Sequence, residues 1–296
     1  MLKKLLIITS LFFAFVLNGC GGSNSGDSKL PTEPSKSQKA TLTEANSEKV
    51  ALSTFNAIGI LKDTDTDDFY YRNAGELGKS LKILSKDIKS ISPKVIASDY
   101  SSSCSNGGSV YVDEISDDEV NVEYQDCEID GTTYDGKLNV VAINDSYVKV
   151  TFEDFTVIDS TQKLEIEYAI FKIDSSVNSI KIEKLYATQK KDGHTTEFLN
   201  YYTNYVYSDF ENIITLTFHG WVKTECSDGY VYLESTSVLS YDNDADEIKG
   251  SYEISSKDET IQVIFDYDEV TIIDTKGDSE TIPLSEYQDR LDLECD

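Results

Sequence analysis

The run Asp242-Asn243-Asp244-Ala245-Asp246, with Glu253 eleven positions after Asp242, sets oxygen ligands in the order of a calcium-binding loop. Glu247, however, stands where such a loop needs glycine for its sharp turn, and the flanking residues alternate as strands do. A solvated hairpin tip is therefore the preferred reading. Asp63, Asp65, Asp67 and Asp68 form a looser version of the same pattern, and neither a metal nor a cofactor is expected. Acid–base chemistry at neutral pH would fall to His194 and His219, the only two histidines. His194 sits in the turn KKDGH and His219 beside Gly220 and Trp221 in a strand-like run. There is no Gly-x-Ser-x-Gly elbow to supply a serine nucleophile. With 54 acidic residues, pairs of carboxylates carry no information, so the expectation is a protein that is not an enzyme. Tyr201, Tyr202, Tyr205 and Tyr207 crowd the segment EFLNYYTNYVYSDF (197–210). Tyrosine joins a broad apolar plate to a polar tip, which suits a ligand surface for glycans, peptides or a partner. The same rings could instead cover the sheet, which is the favoured alternative.

Five cysteines remain to be placed. Four of them, Cys104, Cys127, Cys226 and Cys295, form an even set suited to two disulfides in an exported chain. Of three connectivities, Cys104–Cys127 and Cys226–Cys295 are preferred: the first brackets one hairpin and the second ties down the carboxy terminus. A metal site is disfavoured because no Cys-x-x-Cys spacing occurs. The fifth, Cys20, ends an apolar run that begins after Lys3 and Lys4 and extends from Leu5 to Leu17, too short for a stable transmembrane helix. The stretch Leu17-Asn18-Gly19-Cys20 resembles the lipobox of bacterial lipoproteins. That resemblance implies a signal peptide over residues 1–19, cleavage before Cys20, and attachment there of diacylglyceryl and palmitate-type acyl chains. Two or three such chains hold a protein at a membrane, each buried methylene contributing about 0.8 kcal/mol. Gly21, in place of Asp, resembles the sorting signal of lipoproteins destined for the outer membrane.

Cleavage leaves 277 residues and moves the net charge from −28 to −30, since Lys3 and Lys4 leave with the leader. So acidic a chain is repelled by phosphate backbones, which excludes nucleic acid as a partner. It is repelled equally by anionic membrane surfaces, which suits a body held away from the membrane by a tether. Residues 21–40, rich in Gly, Ser, Lys and Pro, are read as that tether.

The elements that must position these groups fall into two kinds. Thr41 and Glu44 have the spacing of a capping box, with Leu52, Phe55 and Gly59 on one helical face behind them. After an acidic loop (63–75), Leu77, Leu81, Leu84, Ile88 and Ile91 recur at helical spacing until Pro93. From about residue 108 to 275 the period becomes two. VNVEY (120–124), KLNVV (137–141), YVKVTF (147–152), KLEIEYAIF (163–171), IKIEKLY (180–186), ITLTFHGWV (214–222), YVYLE (230–234) and IQVIF (261–265) read as strands separated by short turn signals. About a dozen strands joined by hairpins make an antiparallel meander. Lys and Glu alternate with aliphatics in KLEIEY and IKIEK, and no aromatic girdle recurs, so a lipid-exposed barrel is disfavoured. The expected fold is α+β, mainly β. It is a single domain over 41–296, with two N-terminal helices (41–93) laid on a large curved sheet, two regions of which, 136–159 and 250–274, run alike as Gly, strand, turn, xVxF strand and an acidic step into TVID or TIID. Internal duplication and convergent hairpins are both compatible with that likeness.

The run CSNGGSV (104–110), YQDCEIDGTTYDGKLNV (124–140), HGWVKTECSDGYVYLESTSVLS (219–240) and IKGSYEIS (248–255) resembles a class of exported lipoproteins of Gram-negative bacteria. In that class Cys-x-x-Gly-Gly and a later Tyr-x-x-Cys precede Gly-strand units. The likeness brings no activity with it. Gly107 and Gly108 can bend the chain so that Cys104 approaches Cys127. The function expected from all this is an outer-membrane-anchored lipoprotein with a non-catalytic binding or structural role. Its partners would be the membrane, through its lipid, and an envelope protein, glycan or lipid. The alternative is a carrier of an apolar ligand inside the curved sheet, by analogy of fold with acyl-chain carriers.

Overall fold

The computed structural model describes residues 30–58 and 100–290, apart from turn positions 117, 130, 145–146, 161, 175, 178, 192–193, 209–211, 243 and 246. The expected signal peptide, Cys20, the helix over 77–91 and Cys295 lie outside the described residues.

The described chain is mainly β. One antiparallel sheet of fifteen strands runs in sequence order from β1 (Tyr100–Ser103) to β15 (Ser279–Pro283). Between them lie β2 (Ser109–Ser116), β3 (Glu119–Ile129), β4 (Thr132–Ala142), β5 (Tyr147–Ile158), β6 (Gln162–Asp174) and β7 (Ser179–Lys191). The run continues with β8 (His194–Ser208), β9 (Ile213–Lys223), β10 (Val231–Ser235), β11 (Leu239–Asp242), β12 (Glu247–Ser256), β13 (Glu259–Tyr267) and β14 (Glu269–Ile273). Each of the eight alternating sequence segments lies on a strand, with Tyr230 a single bridge just before β10. The additional strands include the four- and five-residue pieces β1, β11, β14 and β15, too short for their alternation to register.

β10 and β11 occupy one lane between β9 and β12: Val231–Glu234 pair with Val222–His219, and Leu239–Asp242 with Leu216–Ile213. The lane breaks at Thr236–Val238. There Ser235 Oγ accepts the backbone N–H of Phe218 (3.0 Å) and donates to its carbonyl (3.1 Å), filling the gap in the ladder. Among the described residues no pairing joins β1 to β15.

Alternation buries one face throughout. Val120, Val140, Val150 and Phe171 are direct cross-strand neighbours on β3 to β6, and all belong to a single buried cluster that continues to Ile282 on β15. Irregularities in register interrupt β3 at Gln125–Asp126, β5 at Asp154 and β8 at Asn200–Tyr201. Asp126, Asp154 and Asn200 have φ of 46, 47 and 48°. Asp and Asn tolerate that region best among residues with a side chain. Each such step changes which residues face inward, while bending the strand.

The helical expectation needs correction. The described amino-terminal α-helix is α1 (Glu44–Ile58), so the residue preceding it is Thr43, not Thr41. Asn46 Oδ1 accepts the Thr43 N–H (2.8 Å), taking the place assigned to Glu44 in the expected box. Ser47 Oγ donates to the Thr43 carbonyl (2.7 Å). Leu52 and Phe55 are buried as expected. Phe55 meets Phe265 of β13 and Tyr287 of a second helix, α2 (Leu284–Arg290), with ring centroids 4.9 and 5.4 Å away. Tyr252 and Tyr287 both donate to the Ala51 carbonyl at 3.3 Å, and burial raises both phenols far above their ordinary range. The amino-terminal helix thus packs on carboxy-terminal strands. The short helix α2 was not foreseen; Arg290 ties it to α1 through Glu48.

The tether assignment also changes within the described part. Residues 31–40 are docked: Lys39 bridges Tyr230 in parallel, Tyr230 N–H donates to the Gln38 carbonyl (2.8 Å), and Thr41 N–H to Asp228 Oδ1 (2.8 Å). Pro34 and Ala40 are buried. No helix of the described residues is long and apolar enough to cross a membrane.

Candidate binding surface on the outer face of the sheet

The tyrosine run is divided by the step at Asn200–Tyr201. Tyr201, only 2% exposed, and Tyr207 point into the core, and Tyr205 packs against it; Tyr201 lies 5.2 Å from Phe198. Burial pushes the Tyr201 phenol far above its usual range. Tyr202 alone emerges on the outer face, stacked on His219 at 4.6 Å with Lys181 Nζ 5.6 Å from its ring centre. The four tyrosines therefore do not form one ligand surface.

The acid run does not assemble a calcium loop either. Asp242 closes β11 opposite Glu247, whereas Glu253 lies six residues farther along β12, about 20 Å away at ~3.4 Å per residue. Asp242 Oδ1 accepts the N–H groups of Asp244 (2.9 Å) and Ala245 (3.1 Å), and Asp244 Oδ1 accepts from Asn212 (2.6 Å). These carboxylates shape a turn. Asp246 is outside the described residues. Glu44, Asp274 and Asp278 also converge, but Lys276 pairs with Glu44 and Asp274 Oδ1 accepts two backbone N–H groups. His194, on the exposed start of β8, pairs through Nδ1 with Glu225; His219 is stacked six positions earlier on β9 and its hairpin, so the two do not converge.

The Cys104–Cys127 disulfide joins the segment after β1 to the irregular part of β3, with Cα atoms 5.4 Å apart. Gly108, at φ +74°, lies against the Asp126 carbonyl, where a Cβ would fall 2.0 Å from the oxygen. Cys226 is also disulfide-bonded.

A groove of about 740 Å³ opens on the outer face of β1–β5. Its floor holds Asn121, Asn139 and Thr151, direct neighbours across β3, β4 and β5. Asn139 Nδ2 donates to Asn121 Oδ1 (2.9 Å) and Glu119 Oε1 (2.8 Å). Lys137 sits between Glu123 and Glu153 in the next row and is 3.6 Å from Glu123. Tyr111, 44% exposed, forms a wall, and it, Asp113, Thr151 and Glu153 make no side-chain hydrogen bond or ion pair among the described residues. Those groups are free to meet a ligand.

A second outer groove, about 490 Å³, lies over β5–β8 and shares Leu199 and Tyr230 with a third, about 380 Å³, under Pro31–Gln38. One of the acids lining the β5–β8 groove is already engaged: Glu197 accepts Lys223 Nζ (2.7 Å) and the Tyr230 hydroxyl (2.6 Å). Burial acts to raise the Glu197 carboxyl, but these two bonds outweigh it and hold the group below its ordinary range. Burial and the neighbouring Glu197 raise Tyr230. Nearby, Trp221 meets Tyr232 edge-on at 5.2 Å and carries Lys39 Nζ 4.5 Å above its ring. None of these groupings was visible in sequence, because each is assembled from several strands.

No protein-family model, curated protein or solved structure matches the chain.

Proposed function

We propose that the protein is a lipoprotein of the cell envelope, acylated at Cys20 and held at the outer membrane, whose sheet body binds a ligand without catalysing its conversion. The observation that carries the binding role is the outer groove of β1–β5, with its unengaged Tyr111, Asp113, Thr151 and Glu153. A carrier of an apolar ligand would want a dry cavity of several hundred Å³ between hydrophobic walls. The grooves over β1–β5 and β5–β8 instead open on the charged face, while Phe152, Phe171 and Phe218 are buried in the core cluster.

An aromatic plate beside amides and carboxylates fits the ring faces and hydroxyls of a neutral saccharide chain. Asp113, Glu123 and Glu153 outnumber Lys137 in the groove and turn anionic polymers away. Calorimetric titration of the purified protein with neutral glycans is expected to find a ligand whose affinity falls about tenfold in Tyr111→Ala and in Asn139→Ala. Absence of binding across neutral glycans, or indifference to both substitutions, defeats the reading. Mass spectrometry of the mature amino terminus tests the anchor separately: it should begin at an acylated Cys20.

A further inference from the structure

On the outer face, some lysines are set directly opposite acids. Lys137 lies between Glu123 and Glu153, and Lys223 lies opposite Glu197. Elsewhere lysine faces lysine, and one such row is three residues long. Lys149 of β5 is the direct partner of Lys172 of β6, and Lys172 is the direct partner of Lys181 of β7. Three lysines thus stand abreast on three adjacent strands, their backbones spanning about 10 Å at the ~4.8 Å strand spacing. Like charges directly opposite one another destabilise a sheet, and a chain with 54 acids against 26 bases has no shortage of carboxylates to relieve them.

The relief provided is partial. Glu183 Oε1 receives Lys172 Nζ at 2.6 Å and Lys181 Nζ at 3.4 Å, so a single carboxylate oxygen serves both. The hydrogen bond from Lys172 holds Glu183 below its ordinary range, and the same bond raises Lys172. Asp174, at the end of β6, is the other acid bordering the row, and its Oδ1 is taken up by the N–H and hydroxyl of Ser176. Lys149 makes no hydrogen bond or ion pair among the described residues. Tyr147 adds a hydroxyl beside Lys172, and Asn204 extends the row on β8.

An internal comparison shows what is unusual. Lys163 and Lys190 are also direct neighbours, but Glu165 bridges them at 2.7 and 3.1 Å and no third lysine joins them. That pair is an ordinary surface triad. The Lys149–Lys172–Lys181 row has the same bridge plus an uncommitted cation.

We propose that the Lys149–Lys172–Lys181 row is an anion-binding site that takes a phosphate-bearing group. A phosphate spans adjacent ammonium groups and accepts from all three, replacing their mutual repulsion with charge-assisted hydrogen bonds. The site borders the saccharide groove, with which it shares β5, but does not depend on that reading, since its lysines lie outside the groove lining and select the opposite charge. It also refines the inference from net charge, because repulsion of the whole body does not prevent capture of a small anion at a local positive spot.

The test is titration of the full-length protein with inorganic pyrophosphate at low ionic strength, with thermal melting to confirm folding of each variant. Wild type is expected to bind, Lys149→Gln to bind about tenfold more weakly, and Lys163→Gln to stay within about twofold of wild type. If phosphatidylglycerol vesicles compete with pyrophosphate and phosphatidylcholine vesicles do not, the group is a lipid headgroup. If neither competes, it is a free phosphorylated compound. Failure to bind pyrophosphate, or equal losses in Lys149→Gln and Lys163→Gln, overturns the proposal.

Discussion

Residues 136–159 and 250–274 are written alike and fold differently. With Phe152 aligned to Phe265, FEDFTV faces FDYDEV without a gap, and Val157 falls on Val270. The third residue of each takes a positive φ, 47° at Asp154 and 64° at Tyr267. From that shared kink the paths diverge. In the first region β5 steps over Asp154 and runs on to Ile158, with pairing to β4 resuming at Thr156. In the second, Asp266 pairs with Glu269 around a two-residue loop, and β14 doubles back on β13.

One position accounts for the divergence. Phe155 follows the kink in the first region and is buried against Phe152 and Tyr124, with centroids 5.3 and 5.9 Å away. Asp268 follows it in the second and is exposed. Burying a phenylalanine stabilises by about 2–3 kcal/mol, whereas burying an unpaired carboxylate costs several. The chain therefore turns inward after Asp154 and outward after Tyr267. The glycines that open the two regions differ as well. Gly136 abuts Asp154 on the following strand, while Gly250 abuts Val238 and Leu239 in the preceding lane. The likeness is thus one of hairpin writing, and the three-dimensional arrangement gives no sign of two copies of one unit.

Exchanging that position should have the largest effect. Phe155→Asp is expected to lose more than about 5 kcal/mol in urea unfolding, with Phe155→Ala, at about 3–5 kcal/mol, as the variant that still folds. A loss below 1 kcal/mol in Phe155→Ala would remove the stated cause of the divergence. The glycines come next. A Cβ at Gly136 would sit 2.2 Å from the Asp154 oxygen, and one at Gly250 would sit 2.5 Å from the Val238 oxygen. Each alanine variant should lose about 3 kcal/mol, while Gly277→Ala, at positive φ but with open space around it, should lose about 1 kcal/mol. Equal losses at all three would reduce the effect to backbone conformation and leave the close approaches without consequence. The smallest change belongs to Asp268→Phe, below about 1 kcal/mol, because the loop tip stays in water. Hydrogen exchange should show the β13–β14 pairing retained; its loss would mean that the tip residue outweighs the rest of the hairpin.

Much of this was legible in the chain itself. Alternation located the long strands, since a pleated strand buried on one side must show a period of two. The Cys104–Cys127 bracket fell where one hairpin could close it. The helix start was misplaced by two residues because Thr41 and Thr43 both precede an acceptable partner, Glu44 or Asn46, and only docking of Thr41 to Asp228 separates them. The tyrosine run was ambiguous for a comparable reason: the step at Asn200 turns Tyr201 inward and Tyr202 outward, and nothing in EFLNYYTNYVYSDF marks where the step occurs.

What the amino-acid order determined by itself was local: which segments extend, which faces are apolar, where turns are cheap, and how acidic the whole must be. What only the folded sheet decided was adjacency. Lys149 and Lys172 are separated by a whole hairpin, and Asn121, Asn139 and Thr151 meet only because three strands hold a common register. Register along a strand is the running total of every extra residue in its irregular steps, so a single residue at Asp154 or Asn200 resets every pairing beyond it. That total is a property of paired strands, and no strand carries it alone.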